Sequence, residues 1–169
     1  GWTETMLDWL PWSHVSGACN QFATLCSGGR FYIDGGRPMP GLFDESLRNI
    51  KEIPPSFHIN VPFGYAMLAD ALEQDAELRT QFFRNLRLAL YGGAGLPQAL
   101  YERFQRLAVA TIGERIFFTT GYGATETTSG CMSIYFPTEA VGIGLPMPGM
   151  TLKLVPNGPR YEVRVRGQI

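Results

Sequence analysis

The sequence is poor in the features that mark disulfide-rich, membrane and nucleic-acid-binding proteins. Its 169 residues contain three cysteines, an odd number without Cys-x-x-Cys spacing, which argues against a disulfide framework or a zinc site and favours a reducing compartment. Lysine and arginine form no long cluster, and the formal net charge is −1. No apolar run reaches the roughly 20 residues that span a bilayer, and no signal peptide opens the chain. We therefore expect a cytoplasmic protein with neither a membrane nor a nucleic acid as its partner.

Two common nucleotide-binding signatures are absent as well. The chain has no Gly-x-Gly-x-x-Gly dinucleotide fingerprint and no Gly-x-x-x-x-Gly-Lys-Ser/Thr phosphate loop. A short-chain nicotinamide enzyme is further excluded by the lack of a Tyr-x-x-x-Lys pair. What remains, 45% apolar and 17% charged, is the composition of a single globular domain.

Alternating strand and helix patterns predict an α/β fold with a mostly parallel sheet flanked by helices. Residues 57–61, 86–91 and 116–119 are typical of strands, and residues 63–84 and 97–110 of helices. This order implies βαβ crossovers, which bring successive strands into the sheet in parallel.

An earlier helix is predicted to begin near Ser13, a candidate N-cap. His14 follows it, and its residue chemistry favours a backbone hydrogen bond at the helix start, with a place in a ligand site as the alternative. The other histidine, His58, falls inside a predicted strand, which favours a structural role. The apolar residues of this helix share one face: Val15, Ala18, Cys19, Phe22, Ala23 and Cys26.

Two glycine-rich loops, residues 92–95 and 121–123, follow predicted parallel strands. The carboxyl ends of parallel strands meet at one edge of the sheet, where ligands bind in open α/β folds. Small residues in both loops would leave a flat slot for a planar base. The alternative is close packing of helix against strand at each loop separately.

The second loop continues into residues with ligand-binding chemistry. Tyr122 offers a ring for stacking, Thr125 could hydrogen-bond a phosphate, and Glu126 could hold a hard cation such as Mg²⁺. The alternative is that Gly-Tyr-Gly is a simple turn and that Glu126 caps a following helix through Thr125 and Thr127.

The C-terminal part changes to an antiparallel pattern. Residues 150–155 and 161–165 alternate in the β manner, and residues 156–159 predict the turn between them. We interpret this hairpin as the start of an antiparallel β-barrel subdomain, so that residues 1–140 form the α/β part and residues 141–169 the truncated barrel. Because the chain starts at Gly1 and ends at Ile169 directly after a strand pattern, we expect a piece of a longer protein.

Four motifs in order resemble the adenylate-forming superfamily of acyl- and aryl-CoA synthetases, peptide-synthetase adenylation domains and luciferases. The resemblance implies an enzyme that joins a carboxylic acid to AMP, releases pyrophosphate and passes the acyl group to a thiol, with ATP, Mg²⁺ and CoA as the small molecules involved. The motifs are Gly92-Gly93-Ala94-Gly95-Leu96-Pro97, Gly121-Tyr122-Gly123-Ala124-Thr125-Glu126, Val141-Gly142-x-Gly144-x-Pro146-x-Pro148-Gly149 and Glu162-Val163-Arg164-Val165-Arg166-Gly167.

Within the superfamily, residues 8–14, 28–34 and 113–116 look most like feruloyl-CoA synthases, as does the short turn at residues 156–159. The implied substrate is a hydroxycinnamic or related aromatic acid. Two alternatives stay open. A carrier domain elsewhere in the whole protein would indicate an adenylation domain that loads a carrier, and activity that survives Glu126→Gln would indicate a nucleotide-binding domain without chemistry.

The resemblance also implies roles for individual residues. Thr120 departs from the family pattern, since many relatives have Asn or Gln there to meet the adenine amino group, although a hydroxyl can still donate or accept. The superfamily's lysine-bearing phosphate loop, ribose aspartate and catalytic C-terminal lysine have no counterpart in these residues, so we expect this chain alone to be inactive. The implied roles are adenine binding by Gly92, Gly93, Ala94, Thr120 and Tyr122, phosphate binding by Thr125, Mg²⁺ binding by Glu126, and an acyl pocket bordered by His14, Gly121 and Gly123.

Overall fold

The structure, a computed structural model, describes residues 4–127 and 130–167. Gly1, Gln168 and Ile169, on which the expectation about the chain's ends rests, lie outside the described residues. Within the described part, no helix is both long and apolar enough to cross a membrane.

In the described residues, seven strands form the main sheet, in the order β2-β1-β3-β4-β5-β6-β7, and two more form a separate hairpin. The first five strands of that order pair in parallel, and β6 and β7 join them antiparallel. The strands are β1 (Thr5–Asp8), β2 (Arg30–Ile33), β3 (Phe57–Asn60), β4 (Leu88–Tyr91), β5 (Phe117–Tyr122), β6 (Met132–Ser133), β7 (Leu145–Pro146), β8 (Thr151–Asn157) and β9 (Arg160–Arg166). The helices are α1 (Val15–Cys26), α2 (Phe43–Glu52), α3 (Pro62–Gln74), α4 (Ala76–Arg84) and α5 (Gln98–Ile112).

The strand order explains which face of the sheet each helix covers. From β1 the chain moves outward to β2, then returns past β1 to β3, β4 and β5. Because parallel crossovers are right-handed, α1 lies on one face and α2 to α5 on the other. Side chains agree: the Thr24 hydroxyl of α1 contacts Met6 at 3.5 Å, whereas the neighbouring Leu7 belongs to the core under α2 to α5.

Phe118, the second residue of β5, is the centre of an aromatic cluster beneath α3 and α5. The ring is almost fully buried and packs against Tyr65, Tyr91, Tyr101 and Phe104 at centroid distances of 4.8, 5.6, 5.6 and 5.4 Å. Aromatic pairs at these separations add stability beyond their buried area. This cluster fixes β4 and β5, and therefore the loops that follow them.

The predicted α/β fold with a mostly parallel sheet and a C-terminal antiparallel hairpin is confirmed. Strands β1, β6 and β7 were not predicted. Strand β5 runs on to Tyr122, so Gly121 is part of the strand rather than of a sharp turn. It extends because Gly121 and Tyr122 pair with Ser133 and Met132 of β6, a partner whose two residues are too few to give a periodic signal.

The start of α1 also differs from the prediction. Its N-cap is His14 rather than Ser13, since the His14 Nδ1 atom accepts a hydrogen bond from the Ser16 amide at 3.2 Å. The apolar stripe of α1 largely faces away from the sheet, with Phe22 72% exposed. The buried residues of α1 are instead Gly17 and Thr24. A side chain at Gly17 would collide with the backbone of Pro11, in the loop before the helix.

His58 lies in the core with 5% of its surface exposed. Its ring meets Tyr65 and Phe82 edge-on, at 5.6 and 5.2 Å, and neither ring nitrogen has a hydrogen-bond partner among the described residues. Burial lowers the pKa of His58 from 6.5 to about 4, against a smaller opposing effect of the Asp34 carboxylate. His58 is therefore neutral in the folded protein, which fits the structural role expected for it.

This burial predicts that the fold loses stability in mild acid. The unfolded imidazole binds a proton near pH 6.5 and the folded one only near pH 4, so the free energy of unfolding falls as the pH drops through this interval. Between pH 7 and pH 5 the loss from this group is about 2 kcal/mol. Urea unfolding at both pH values should show that His58→Leu removes this part of the loss. His14→Gln should keep it, and an unchanged acid sensitivity in His58→Leu would contradict the assignment.

Candidate functional site

The two glycine loops lie side by side because their strands are neighbours. Tyr91 at the end of β4 pairs with Thr120 of β5, and Gly92 lies beside the carbonyl of Gly121, to which an added Cβ would come within 3.8 Å. The loops therefore meet at the carboxyl edge of the parallel part of the sheet. This is the edge at which ligands bind in open α/β folds.

The first loop, residues 92–97, crosses from β4 to the start of α5. Gly93 has φ +79°, a left-handed conformation that favours glycine. Gly93, Ala94 and Gly95 are exposed, whereas Leu96 is buried in the core. The loop thus exposes its backbone to solvent, and the buried Leu96 side chain anchors it to the core.

Thr120 is buried, and its hydroxyl is already engaged. The Thr120 Oγ1 atom donates to the Tyr91 carbonyl at 2.9 Å, and the Thr120 carbonyl accepts from the Ser133 hydroxyl at 2.7 Å. The side chain therefore joins β4 to β5 beneath the loops. Towards a base, its oxygen is left with an acceptor role only.

The end of β5 carries the exposed candidates. The Tyr122 side chain is 40% exposed, and the chain then forms a short 3₁₀ turn over Thr125–Thr127. Thr125 and Glu126 are exposed, and Glu126 has no hydrogen bond or ion pair with any described residue. The turn is held by Thr127, whose Oγ1 atom accepts from the Ala124 amide at 2.9 Å, so the local cap comes from Thr127 and leaves Glu126 available.

His14 begins α1 in the loop after the carboxyl end of β1, which is the same edge of the sheet. Its Nδ1 atom caps α1 and its side chain is exposed. Strand β3 separates β1 from β4, so His14 and the glycine loops lie on opposite sides of β3 along this edge. Gly121, in contrast, is directly beside the loops, and an added Cβ there would meet no atom within 4 Å.

The donor set is compatible with a magnesium ion that is shared with a substrate. The described residues contain no group of three or more His, Cys, Asp or Glu side chains that could hold a metal by itself. Mg²⁺ is commonly bound through one or two carboxylates, with phosphate oxygens and water completing its shell. The exposed Glu126 carboxylate fits that mode of binding, and it does not fit a closed protein cage.

Sequence reasoning missed the contacts that hold the first loop from outside. Tyr91 and Gln98, the residues on either side of residues 92–97, bind the backbone of residues 139–142 through their side chains. Neither residue belongs to a recognisable motif. Their partners lie more than 40 positions away, so no local pattern could have identified them.

A parallel sheet with two glycine loops side by side at its carboxyl edge defines an open α/β protein, a class in which ligands bind at that edge. Comparison with known proteins is more specific: the AMP-binding enzyme family matches residues 1–169. The chain belongs to this family.

Similar proteins include several CoA ligases. The chain is 31% identical to 2-succinylbenzoate–CoA ligase of Lactococcus lactis subsp. lactis over 86% of this chain and 28% of that protein. It is 26% identical to the inactive atromentin synthetase invA4 of Paxillus involutus over 96% of this chain and 19% of that protein. The chain thus spans between about a fifth and a third of the length of these curated relatives.

Solved structures share the fold. A malonyl-CoA ligase in a ternary product complex with methylmalonyl-CoA and AMP superposes with a TM-score of 0.73 at 28% identity, covering 98% of this chain and 35% of that one. A benzoate-CoA ligase from Burkholderia xenovorans has a TM-score of 0.71 at 22% identity, covering 98% of this chain and 33% of that one, which at this identity shows the fold alone.

The first loop allows a matched test of its backbone conformation. Gly93→Ala should lower the free energy of unfolding by roughly 1–2 kcal/mol, since alanine is strained at φ +79°. Gly95→Ala should be neutral or slightly stabilising, because its φ is not in the left-handed region and its Cβ would meet nothing within 4 Å. Urea unfolding of both variants measures the difference, and equal losses would contradict the described loop.

Proposed function

We propose that the whole protein containing this chain is an ATP-dependent acid–CoA ligase that activates an aromatic, hydroxycinnamate-like acid such as ferulate. It forms the acyl-adenylate with release of pyrophosphate and transfers the acyl group to CoA. The observation that carries the proposal is the parallel pairing of Tyr91 with Thr120, which brings the two glycine motifs together in a chain matched throughout by one family.

In this proposal, the adenine lies between the two loops. The exposed backbone of Gly93 and Ala94, with Gly92 beside it, forms one wall, and the exposed Tyr122 ring offers the opposing stacking surface. Thr120 lies beneath, with its hydroxyl proton bound to Tyr91, and its oxygen is an acceptor for the adenine amino group.

The phosphates would lie beyond Tyr122, at the exposed 3₁₀ turn. The Thr125 hydroxyl donates to a phosphate oxygen, and the Glu126 carboxylate holds the cation that accompanies ATP. When bound, Mg²⁺ supplies charge neutralisation at the phosphates. The protein's part is to hold the α-phosphate near the substrate carboxylate and to stabilise the charge that develops as the two react.

The acyl group would extend from the phosphates along the same edge. Gly121 and Gly123 lack side chains there, which leaves room for an aromatic ring, and the exposed His14 borders the far side. Preference for a hydroxycinnamate rests on the feruloyl-CoA synthase-like residues 8–14, 28–34 and 113–116. By the same proposal, residues outside this chain complete the site, so the chain alone is inactive.

One relative is named as inactive, which makes a direct test of the chemistry necessary. In the whole protein, Glu126→Gln should slow acyl-adenylate formation about 100-fold or more and raise the Mg²⁺ concentration needed, because the amide is a poor ligand for a hard cation. Carboxylate-dependent ATP–pyrophosphate exchange across a magnesium series measures both effects.

Glu114→Gln is the matched control, since Glu114 is an exposed glutamate before the opposite end of β5 and should exchange at the wild-type rate. Full activity of the whole protein with Glu126→Gln would instead favour the alternative, in which this chain is a nucleotide-binding domain that takes no part in the chemistry.

A panel of acids tests the substrate class. With ferulate, benzoate, malonate and octanoate, kcat/KM for CoA thioester formation should be highest for ferulate, by about tenfold or more, because each misfitted group costs a factor of 10–200. A preference for malonate or octanoate would leave the ligase class intact and overturn the aromatic substrate. Adenylation of ferulate without consumption of CoA would favour the carrier-loading alternative.

A further inference from the structure

Residues 138–142, here called the strap, run beside the first glycine loop and bind both of its ends. Before the loop, the Tyr91 hydroxyl donates to the Gly142 carbonyl at 3.1 Å and accepts from the Gly142 amide at 3.3 Å. After the loop, the Gln98 side chain donates to the Glu139 carbonyl at 2.8 Å and accepts from the Val141 amide at 3.0 Å.

Between these two residues, the loop is also held by the buried Leu96 and by the Gly92 amide, which donates to the Asn60 carbonyl at 3.3 Å, but residues 93–95 make no hydrogen bond to any described residue. It contains Gly92, Gly93 and Gly95, and glycine has the greatest backbone freedom of any residue. Residues 93–95 are exposed, and a Cβ added at Gly95 would touch nothing within 4 Å. A ligand that binds such a backbone must bear the entropic cost of ordering it, unless the protein has done so already.

Tyr91 also connects the strap to the second glycine motif. Its carbonyl accepts the Thr120 hydroxyl at 2.9 Å, while its own hydroxyl holds Gly142. Burial raises the pKa of the Tyr91 phenol above its ordinary value, so the group stays protonated and able to donate at neutral pH. One buried residue, through its backbone carbonyl and its side-chain hydroxyl, thus joins β4, β5 and the strap.

We infer that the strap is a positioning element for the nucleotide: Tyr91 and Gln98 fasten it across the ends of residues 92–97 and so hold the loop backbone in its binding conformation. The inference rests on the proposed function, in which this backbone lies against adenine. Tyr91 and Gln98 touch no reacting atom, and they act through the loop between them. The strap therefore contributes to ATP affinity and not to the chemical step.

Tyr91 and Tyr101 provide a matched pair for the test, because both donate a hydrogen bond to the strap and both pack against Phe118. The Tyr101 hydroxyl donates to the Thr138 carbonyl at 3.0 Å, but Tyr101 lies one turn into α5, away from the loop ends. In the whole protein, Tyr91→Phe should raise KM for ATP about three- to tenfold or more, because both hydrogen bonds of the hydroxyl to Gly142 are lost and one such bond alone is worth about that factor. Its kcat and its KM for the acid should stay within about twofold.

Tyr101→Phe should leave KM for ATP unchanged, since it loosens the strap without releasing the loop. Gln98→Leu is a second variant at the other end of the loop. The Gln98 side chain is exposed, so its loss leaves the core intact, and it should raise KM for ATP in the same manner as Tyr91→Phe.

Amide hydrogen exchange provides a readout that does not depend on activity. Exchange at the Gly92 amide, which donates to the Asn60 carbonyl at 3.3 Å, should be faster in Tyr91→Phe than in Tyr101→Phe, with equal exchange in the strands. Equal exchange in the two variants, or an unchanged KM for ATP in an active Tyr91→Phe enzyme, overturns the inference. A wild-type protein that forms no acyl-adenylate overturns the proposed function instead, and the exchange comparison still decides whether the strap orders the loop.

Discussion

The structure depends above all on the parallel pairing of β4 with β5. Register places Tyr91 opposite Thr120, and the Thr120 hydroxyl bonds the Tyr91 carbonyl across the pair. The aromatic rings around Phe118 hold the two strands from the helix side. A slip of one residue would turn Phe118 out of that cluster and separate the two glycine loops. Core packing and the geometry of the candidate site are thus consequences of the same register.

The two faces of the sheet are covered unequally, and this explains several features of the sequence. Helices α2 to α5 bury one face of β1, β3, β4 and β5, as the core cluster shows. On the other face, α1 covers β1, while Ile33 of the edge strand β2 is exposed and Phe57, Leu88 and Phe117 of the following strands remain partly exposed. The strands are nevertheless apolar on both sides, which is the pattern of parallel strands covered on both faces. The apolar stripe of α1, which includes the exposed Phe22, is likewise an apolar surface that no described element covers.

The strands and helices with strong periodicity could be predicted from the sequence, because their signals are local. The βαβ order from β3 to β5 and the hairpin of β8 and β9 are examples, and the place of both glycine loops at one edge followed from that order. Strand β6 could not be predicted, since its two residues are fixed by tertiary pairing with Gly121 and Tyr122. The backbone hydrogen bond of His14 at the start of α1 was predicted and is confirmed, although Ser13 was wrongly predicted as the N-cap. The roles of Tyr91 and Gln98 depend on individual side-chain contacts that composition and spacing do not encode.

The engagement of Thr120 changes how base recognition must work if the proposed function holds. An Asn or Gln at this position would offer adenine an amide. The Thr120 hydroxyl already donates its hydrogen bond to the Tyr91 carbonyl, so it can only accept one from a base. In the proposed function, recognition then relies on the backbone of residues 92–94 and on the Tyr122 ring. Backbone groups can discriminate between bases only when their positions are fixed. Glycine residues leave the backbone flexible and so do not fix these positions by themselves. A protein that recognises a base through a glycine loop therefore needs contacts from other segments to fix that loop, and in our proposal this is the role of the bonds from Tyr91 and Gln98 to residues 139–142.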